Sequence, residues 1–457
     1  MHPFFILGLH TASLVLKKSE LRFFFTALFV VLLHGAFFIY ALNQKNYYLQ
    51  PDSTEYLNQR DNLLEYGSFY QGNPEEPHRW YLETRRPPLN GIVLATIKKI
   101  HPSDITVLIF QNLLSCLVLI FLLKILKKQY PDFNLLLLIP PLIFFPAQMI
   151  YSNFIMAEML FQALICTGLF FLARTEKKLF LFFVFITMAA FVKPVLYLFW
   201  IPALIILVVF RKISRLSLFH FSGAALMAAA VLLLSWFNYQ RTGVFAFSSA
   251  SESFLPDYVV LPVVHVAEGK EKANEVHASV QQTARQKKNY TEYHRSLINQ
   301  SINVIKQYPF ATVVLWAKGM VLFFTDPGRW DVLAFQNKKP EEHQDGFFHI
   351  LKSQGISKAL NHLMNQGTGL TLFTLAGTLI NGVLFFCFLI FLKDERYPFL
   401  FRLMAAVIVF YLAFMTGPIG SARYRVSVFP LLLMALPSGW FYLKEVFEKF
   451  ALGKKAG

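Results

Sequence analysis

The sequence predicts an all-α polytopic membrane protein with about 10–11 transmembrane helices and two large extracytoplasmic loops. Of its 457 residues, 55% are hydrophobic and only 15% are charged, whereas about 25% of the residues in soluble domains are charged. The apolar residues form runs of about 20, the length that crosses ~30 Å of hydrocarbon. Basic residues collect in short segments between these runs, a pattern typical of cytoplasmic loops.

Charge, cysteine usage and missing motifs exclude several classes of function. The net charge of +16 arises largely from the basic clusters between apolar runs, so it indicates membrane topology and not nucleic-acid binding. Cys116, Cys166 and Cys387 all fall inside apolar runs, which predicts packing roles and no disulfide or zinc site. The sequence has no P-loop, G-x-S-x-G, H-E-x-x-H or C-x-x-C motif, which disfavours nucleotide-driven transport and soluble-type hydrolysis.

The first half of the chain is predicted to form a transmembrane core over residues 22–237. Residues 1–21 are a cytoplasmic or interfacial N-terminus, because Lys17, Lys18 and Arg22 lie at the start of the first long apolar run. One long external loop, 43–104, interrupts the core. The expected spans are about 22–42, 105–123, 133–150, 154–173, two short segments within 179–210 that meet at Lys193-Pro194, and 217–237.

The second half begins with an extracytoplasmic region, 238–365, and continues with C-terminal transmembrane helices within 366–443. Its tail, 444–457, is basic and is predicted to be cytoplasmic, as is the basic segment 393–402. If both are cytoplasmic, the apolar segment 310–325 does not cross the membrane and is interfacial or re-entrant. A full crossing at 310–325, which would place the basic tail outside, is the alternative.

The loop 43–104 contains the first candidate site residues. Asp52 precedes a predicted short helix, 53–66, that ends at Gly67. In one interpretation Asp52 is only the N-cap of this helix, with Glu55 as its capping-box partner. In the other, Asp52 and Glu55 are catalytic. Asp52 would then be a general base, a ligand for a divalent metal such as Mg or Mn, or both.

Two pairs of arginines are candidates for phosphate contacts. Arg85 and Arg86 precede two prolines, and Arg423 and Arg425 flank Tyr424 at the start of the last apolar run. The planar guanidinium group binds phosphate oxygens with two parallel hydrogen bonds. The alternative for both pairs is a nonspecific contact with lipid headgroups or anchoring at the membrane interface.

Glu158 and Lys193 are charged residues placed in or between apolar runs. An ionisable side chain so close to hydrocarbon is unfavourable and marks a candidate functional site. The alternative is that the two pair with each other or with the backbone and fix helix packing. Asp326, Arg329 and Asp331 lie in a Pro-Gly turn further along, to which the sequence assigns no role.

Together these positions resemble the GT-C superfamily of membrane glycosyltransferases, in its bacterial branch related to protein mannosyltransferases and the aminoarabinose transferase. The order and spacing of the matching residues cover most of the chain. No Asp-Asp pair follows the first predicted helix, which leaves metal dependence open. The matching segments are Pro51-Asp52-Ser53-Thr54-Glu55-Tyr56, Gly67-Ser68-Phe69, Arg86-Pro87-Pro88, Glu158-Met159-Leu160-Phe161, Lys193-Pro194 and Ala422-Arg423-Tyr424-Arg425.

The resemblance implies a GT-C-like fold in a bacterial inner membrane, with the active site facing the periplasm or outside. A polyprenyl-phosphate-linked sugar would be the donor, and a hydroxyl of a lipid, glycan or protein the acceptor. It implies that Asp52 takes the acceptor proton, with inversion at the anomeric carbon, while cations stabilise the phosphate. The substrate-binding residues it implies are Tyr56, Arg85, Arg86, Glu158, Lys193, Arg423 and Arg425. A lipid-linked-sugar flippase and a non-catalytic subunit of an envelope glycan assembly complex are the alternatives.

Overall fold

A computed structural model of the chain describes residues 18–44, 48–211, 218–338, 355–358, 361 and 368–453. Throughout these ranges the regular secondary structure is helical, without a strand, which confirms the all-α class. Most of the predicted N-terminal segment 1–21 lies outside the described residues. Parts of the region 238–365 and of the tail 444–457 lie outside them as well.

Many of the α-helices are joined by short turns, several of them 3-10 helical, whereas residues 67–87 form a longer connection before the third α-helix. In chain order the α-helices are α1 (Lys18–Asn43), α2 (Pro51–Tyr66), α3 (Pro88–Ile100), α4 (Asp104–Gln129), α5 (Ile139–Ile143), α6 (Ala147–Ser152), α7 (Glu158–Arg174), α8 (Leu179–Ala190), α9 (Trp200–Phe210), α10 (Ser222–Thr242), α11 (Ser251–Leu255), α12 (Leu261–Glu268), α13 (Lys270–Arg285), α14 (Tyr290–Gln307), α15 (Pro309–Thr325), α16 (Arg329–Phe335), α17 (Thr368–Phe391), α18 (Phe399–Met415), α19 (Ala422–Arg425) and α20 (Phe429–Gly453).

Five of the described helical segments are long and apolar enough to cross a membrane. They are α1, α4, Phe219–Thr242, α17 and Ala422–Lys449. A sixth arises if α14 and α15, which meet at a bend of 97°, count as one broken span. The chain is therefore an all-α membrane protein, and its predicted 10–11 crossings stay a prediction. The same bend is compatible with a re-entrant α15, as predicted for 310–325.

The predicted span 133–150 is not one continuous helix. A 3-10 helix at Leu135–Leu138 is followed by α5 and then, after a break, by α6. Prolines at positions 140, 141 and 146 explain the interruption, since proline lacks a backbone N–H and clashes with the preceding helical turn. A second break falls at Lys193-Pro194, between α8 and α9, where two short apolar segments were expected to meet.

Helix α7 lies at the centre of the molecule. It packs against α4, α8 and α18 and against the turn Val426–Val428. Most of its side chains are buried, among them Leu169 and Leu172 at 0% exposure. The first turn of α7 carries Glu158, so the core of the fold fixes the position of this carboxylate.

A buried row of polar side chains also joins α1, α4, α6 and α7. His34 Nε2 lies 2.7 Å from Ser115 Oγ, which also accepts a hydrogen bond from Gln148 Nε2 at 2.7 Å. Gln148 and Gln162 exchange two amide hydrogen bonds of 2.8 Å. Because hydrocarbon offers no partner for polar atoms, these bonds tie the four helices together in one arrangement.

Candidate functional site

The N-terminus of α2 positions Asp52, but not as the cap that one interpretation predicted. The helix begins two residues earlier than predicted, at Pro51, and its N-cap is Gln50, whose N–H donates to Ser53 Oγ at 2.9 Å. Proline is well suited to the first helical position, because the N–H it lacks has no partner there. Asp52 therefore lies inside the first turn and Glu55 is not its capping-box partner. At the other end, Gly67 closes the helix as predicted, with a left-handed φ of 66°.

Seven charged side chains form one chain of ion pairs with alternating sign, here called the ion ladder. Four positive and three negative groups give it one net positive charge. They come from α2, α7, α19, the turn before α3 and the break between α8 and α9. In order of contact, the members are Lys193, Glu158, Arg423, Asp52, Arg86, Glu55 and Arg85.

Asp52 occupies the middle of the ion ladder. Its Oδ1 accepts a hydrogen bond from Arg86 Nη2 at 2.8 Å, and its Oδ2 accepts one from Arg423 Nη2 at 2.5 Å. Burial favours the neutral acid, but the guanidinium groups of Arg423 and Arg86 outweigh it and hold the pKa of Asp52 well below its usual range. Asp52 is therefore ionised, and it is a weak base for as long as both arginines stay in contact.

Glu158 is the most buried carboxylate of the ion ladder, with its side chain 2% exposed. Its Oε1 accepts hydrogen bonds from Lys193 Nζ at 3.0 Å and from Arg423 Nε at 2.6 Å. Its Oε2 is buried without a hydrogen-bond partner among the described residues. A buried polar atom normally has a partner, so Oε2 is an acceptor available to a bound molecule.

The other half of the ion ladder is built around Glu55. Arg86 Nε donates to Glu55 Oε2 at 2.6 Å, and Arg85 Nε lies 3.1 Å from Glu55 Oε1. The Arg86 guanidinium also lies over the ring of Tyr56, 5.1 Å from its centroid, in a cation–π contact. Tyr56 is 1% exposed, so its ring packs against Arg86 and is not accessible to a substrate.

Two glutamines that the sequence analysis did not single out fix the backbone of Arg86. Gln71 Oε1 accepts from the Arg86 N–H at 2.8 Å, and Gln71 Nε2 donates to the Arg86 carbonyl at 2.9 Å. Gln59 Nε2 donates to the same carbonyl at 3.2 Å. Both glutamine side chains are buried. A glutamine inside a polar loop gives no sequence signal for this role.

Arg425 lies outside the ion ladder, although it was predicted to bind substrate with Arg423. Its side chain is 0% exposed and donates to the carbonyls of Phe324 at 2.5 Å, Phe323 at 3.2 Å and Asp326 at 2.5 Å. In a helical turn, residues two apart point to different faces. Arg423 consequently reaches the ion ladder, whereas Arg425 satisfies the last carbonyls of α15.

A Tyr–Asp pair lies beside Arg423. The Arg423 Cζ atom is 6.0 Å from the centroid of the Tyr151 ring, and the Tyr151 hydroxyl donates to Asp331 Oδ1 at 2.6 Å. Burial raises the pKa of Asp331 to about 7, against the opposing effect of that hydrogen bond. Nearby, Asp326 Oδ2 accepts from the Ala422 N–H at 2.8 Å and so fixes the turn that carries Arg423.

Two cavities border the ion ladder. The larger, about 640 Å³, is mostly apolar and lies among α9, α10 and α11. Its wall includes Tyr424 and Pro194, the sequence neighbours of Arg423 and Lys193. The smaller, about 310 Å³, has Arg86, Glu83 and Arg241 in its wall. An apolar chain and a polar group therefore both have space next to the charged groups.

The site does not fit a divalent metal, for which Asp52 was a candidate ligand. Across the part of the chain that the structure describes, no three His, Cys, Asp or Glu side chains are grouped as metal ligands. Both carboxylate oxygens of Asp52 accept hydrogen bonds from arginines, so a cation would have to displace two guanidinium groups. The positive charge at this site comes from arginine and lysine.

Comparisons of the chain with protein-family models, with curated proteins and with solved structures found no match. The likeness to the GT-C superfamily therefore rests on the motifs quoted above.

Proposed function

We propose that this protein is a membrane glycosyltransferase that moves a sugar from a polyprenyl-phosphate donor to an acceptor hydroxyl. The reaction takes place on the outer face of a bacterial inner membrane and inverts the anomeric carbon. The ion ladder is the observation that carries the proposal, because its net positive charge lies close to a large apolar cavity. Tyr424, in the wall of that cavity, has its ring centroid 5.9 Å from Lys193 Nζ. A polyprenyl phosphate is an anion attached to an apolar chain, and it requires both features.

The donor phosphate binds by replacing carboxylates as the partners of the arginines. Arg423 and Arg86 each already direct N–H groups towards two carboxylates. Phosphate oxygens match the same fork geometry. Lys193 adds a third cation next to Arg423. The part of the isoprenoid chain closest to the phosphate lies in the 640 Å³ cavity, beside Tyr424.

Donor binding also makes Asp52 a competent base. In the ion ladder both of its oxygens are occupied by arginines, which lowers its basicity. When the phosphate binds Arg423 and Arg86, Asp52 loses partners and its affinity for a proton rises. The base is therefore available only when the donor is in place, which disfavours proton transfer in the absence of a sugar to transfer.

The transfer itself is a single displacement. The acceptor oxygen forms a bond to the anomeric carbon while its proton moves to an Asp52 carboxylate oxygen. The bond between that carbon and the phosphate oxygen breaks, and the electron pair stays on the phosphate. Arg86, Arg423 and Lys193 stabilise the charge that develops there. Oε2 of Glu158, which has no hydrogen-bond partner in the described part of the chain, accepts a hydrogen bond from a hydroxyl of the donor sugar.

Release of free polyprenyl phosphate tests this function against its alternatives. The purified protein in nanodiscs would be given a radiolabelled polyprenyl-phosphate sugar together with candidate acceptors. A glycosyltransferase releases polyprenyl phosphate in equal amount to the glycosylated acceptor. In proteoliposomes, a flippase would move the intact lipid across the membrane without releasing it, and a non-catalytic subunit would do neither. Movement without release would overturn the proposal.

A further inference from the structure

A row of aromatic rings joins the two polar regions of the chain on the side of the ion ladder where Arg85 lies. The rings belong to Tyr70, His78, Trp80, Tyr290 and Tyr293, which we call the aromatic row. Tyr70 and His78 are stacked at 4.6 Å between centroids, and the rings of His78 and Trp80 are nearly perpendicular at 4.8 Å. Trp80 and Tyr290 lie nearly parallel at 6.3 Å, as do Tyr290 and Tyr293 at 6.4 Å.

The aromatic row is held rigidly but is open to solvent at its middle. The Tyr70 hydroxyl accepts a hydrogen bond from the Arg79 N–H at 3.0 Å, and the Tyr290 hydroxyl donates to Glu252 Oε1 at 2.6 Å. Trp80 is nevertheless 49% exposed, and the His78 side chain is 44% exposed. Rings that are fixed by hydrogen bonds and partly exposed at Trp80 and His78 form a surface already shaped for a ligand, which reduces the entropy lost on binding.

The aromatic row is directly connected to the proposed reaction site. Trp80 begins the 3-10 helix Trp80–Glu83, which ends two residues before Arg85. Ser249 Oγ donates to the Tyr81 carbonyl at 2.5 Å, and Ser248 Oγ donates to the Arg85 carbonyl at 2.6 Å. This helix therefore links the row to the 310 Å³ cavity, which has both Glu83 and Arg86 in its wall.

We propose that the aromatic row binds the acceptor and that the acceptor is a saccharide. A pyranose ring has apolar C–H faces that pack on aromatic rings, and hydroxyls at its edge that bind charged side chains. The aromatic row supplies the first kind of contact. The carboxylate of Glu83 and the guanidinium of Arg241, which form an ion pair in the wall of the small cavity, supply the second. The identification of this saccharide as the acceptor rests on the proposed function.

Exposed aromatic residues also occur where proteins contact the membrane interface, but the charge in the turn before His78 disfavours that explanation. Glu75 and Glu76 are exposed there, between Pro74 and Pro77, and Glu76 forms an exposed ion pair with Arg79. The carboxylate of Glu75 would be repelled by the negative surface of an anionic bilayer, which attracts basic segments instead. Acidic side chains next to aromatic rings are well suited to the hydroxyl groups of a sugar.

Binding without the donor tests the proposal separately from catalysis. The full-length protein in detergent would be applied to an array of immobilised gluco-, manno-, galacto- and N-acetylglucosamine oligosaccharides, and in parallel to phosphatidylglycerol vesicles. We expect binding to at least one oligosaccharide series. Trp80→Ala should weaken it about tenfold, in line with an aromatic contact of ~1.5 kcal/mol, and Trp80→Phe should weaken it less. Trp330→Ala, which removes a tryptophan that is 54% exposed and outside the row, is the control and should bind as wild type.

Absence of binding to every oligosaccharide, or equal binding by wild type and Trp80→Ala, would overturn the proposal. Binding to vesicles that depends on Trp80, without binding to saccharides, would identify the row as an interface anchor. The thermal stability of each variant shows whether it is folded. If Trp80→Ala transfers sugar normally, the aromatic row is not the acceptor site, although the protein is still a glycosyltransferase. If the protein binds saccharides but transfers no sugar, the proposed enzymatic function is wrong, although the aromatic row still binds saccharides.

Discussion

Asp52 and Arg423 are 371 positions apart in the sequence, yet Arg423 Nη2 donates to Asp52 Oδ2 at 2.5 Å. The contact joins the first turn of α2 to the segment that opens the last long helix. Arg423 also binds Glu158 at 2.6 Å, so one guanidinium group holds two carboxylates from distant parts of the chain. Occupation of Arg423 by a phosphate would therefore affect both carboxylates together.

The two arginines of α19 are expected to respond differently to substitution. Arg423→Lys should fold but lose donor affinity by roughly ten- to a hundredfold, since a point charge cannot replace a bidentate fork and one charge-assisted hydrogen bond contributes ~1.5–3 kcal/mol. Arg425→Lys should instead lower thermal stability, because several backbone carbonyls would lose donors. Donor titration and thermal unfolding of both variants measure this. If both variants are folded and lose donor affinity equally, Arg425 also contributes to donor binding.

The Glu158–Lys193 pair is expected to couple strongly in a double-mutant cycle. Glu158→Gln leaves a cation largely buried without its nearest anion, and breaking such a pair destabilises proteins by roughly 3–5 kcal/mol. Adding Lys193→Gln should restore part of the loss, with a coupling energy of about 1–3 kcal/mol. The measurement is the free energy of unfolding in detergent. Glu445→Gln, which breaks an exposed pair with Lys449, is the control and should have no measurable effect. Strict additivity of the two single changes would contradict the pairing.

Asp331 should make the stability of the fold depend on pH between about 4 and 7. Its pKa is raised from an ordinary value of 3.8 to about 7 in the folded protein, so in this window the folded state holds a proton that the unfolded chain releases. Stability from this group is present at low pH and falls as the pH rises to about 7. The melting temperature of wild type relative to Asp331→Asn should therefore decline across the window. A constant difference would show that the Asp331 carboxyl is not perturbed.

Topology can be tested with an impermeant thiol reagent on intact cells, in a chain whose three native cysteines are replaced. Single cysteines would be placed at the exposed positions Lys287, Gln336 and Lys449. If α15 does not cross the membrane, the first two share the outer face and are labelled, while Lys449→Cys is labelled only after permeabilisation. Opposite accessibility of Lys287→Cys and Gln336→Cys would show that α15 crosses.

The sequence was sufficient to predict the membrane class and to single out all seven residues of the ion ladder as candidates. Charged residues beside long apolar runs are rare enough to be conspicuous, as with Glu158 and Lys193. The sequence could not predict which of these residues form ion pairs with each other. Asp52 contacts Arg423 only because α2, α7 and α19 pack together. The Tyr151–Asp331 hydrogen bond was not predicted either, because no pattern in the sequence around either residue marks it as one of a pair.

Other differences had a signal in the sequence that was given too little weight. Pro51 favours the first position of a helix, so the sequence could have predicted that α2 begins before Asp52. Pro140, Pro141 and Pro146 could have predicted the interruption of the span 133–150. Arg423 and Arg425 looked equivalent in sequence, and only the geometry of a helical turn separates them.

The most direct test of the proposed reaction is single-turnover sugar transfer by Asp52→Asn in nanodiscs. Asparagine keeps the size and hydrogen-bonding capacity of aspartate but does not accept a proton at neutral pH. The variant should remain folded and bind donor, yet transfer sugar about 10²–10⁴-fold more slowly, the usual contribution of a positioned base. Glu55→Gln, which removes one negative charge from the next carboxylate of the ion ladder, is the matched control and should be milder. If folded Asp52→Asn transfers sugar within a few-fold of wild type, Asp52 is not the base and the proposed mechanism is wrong.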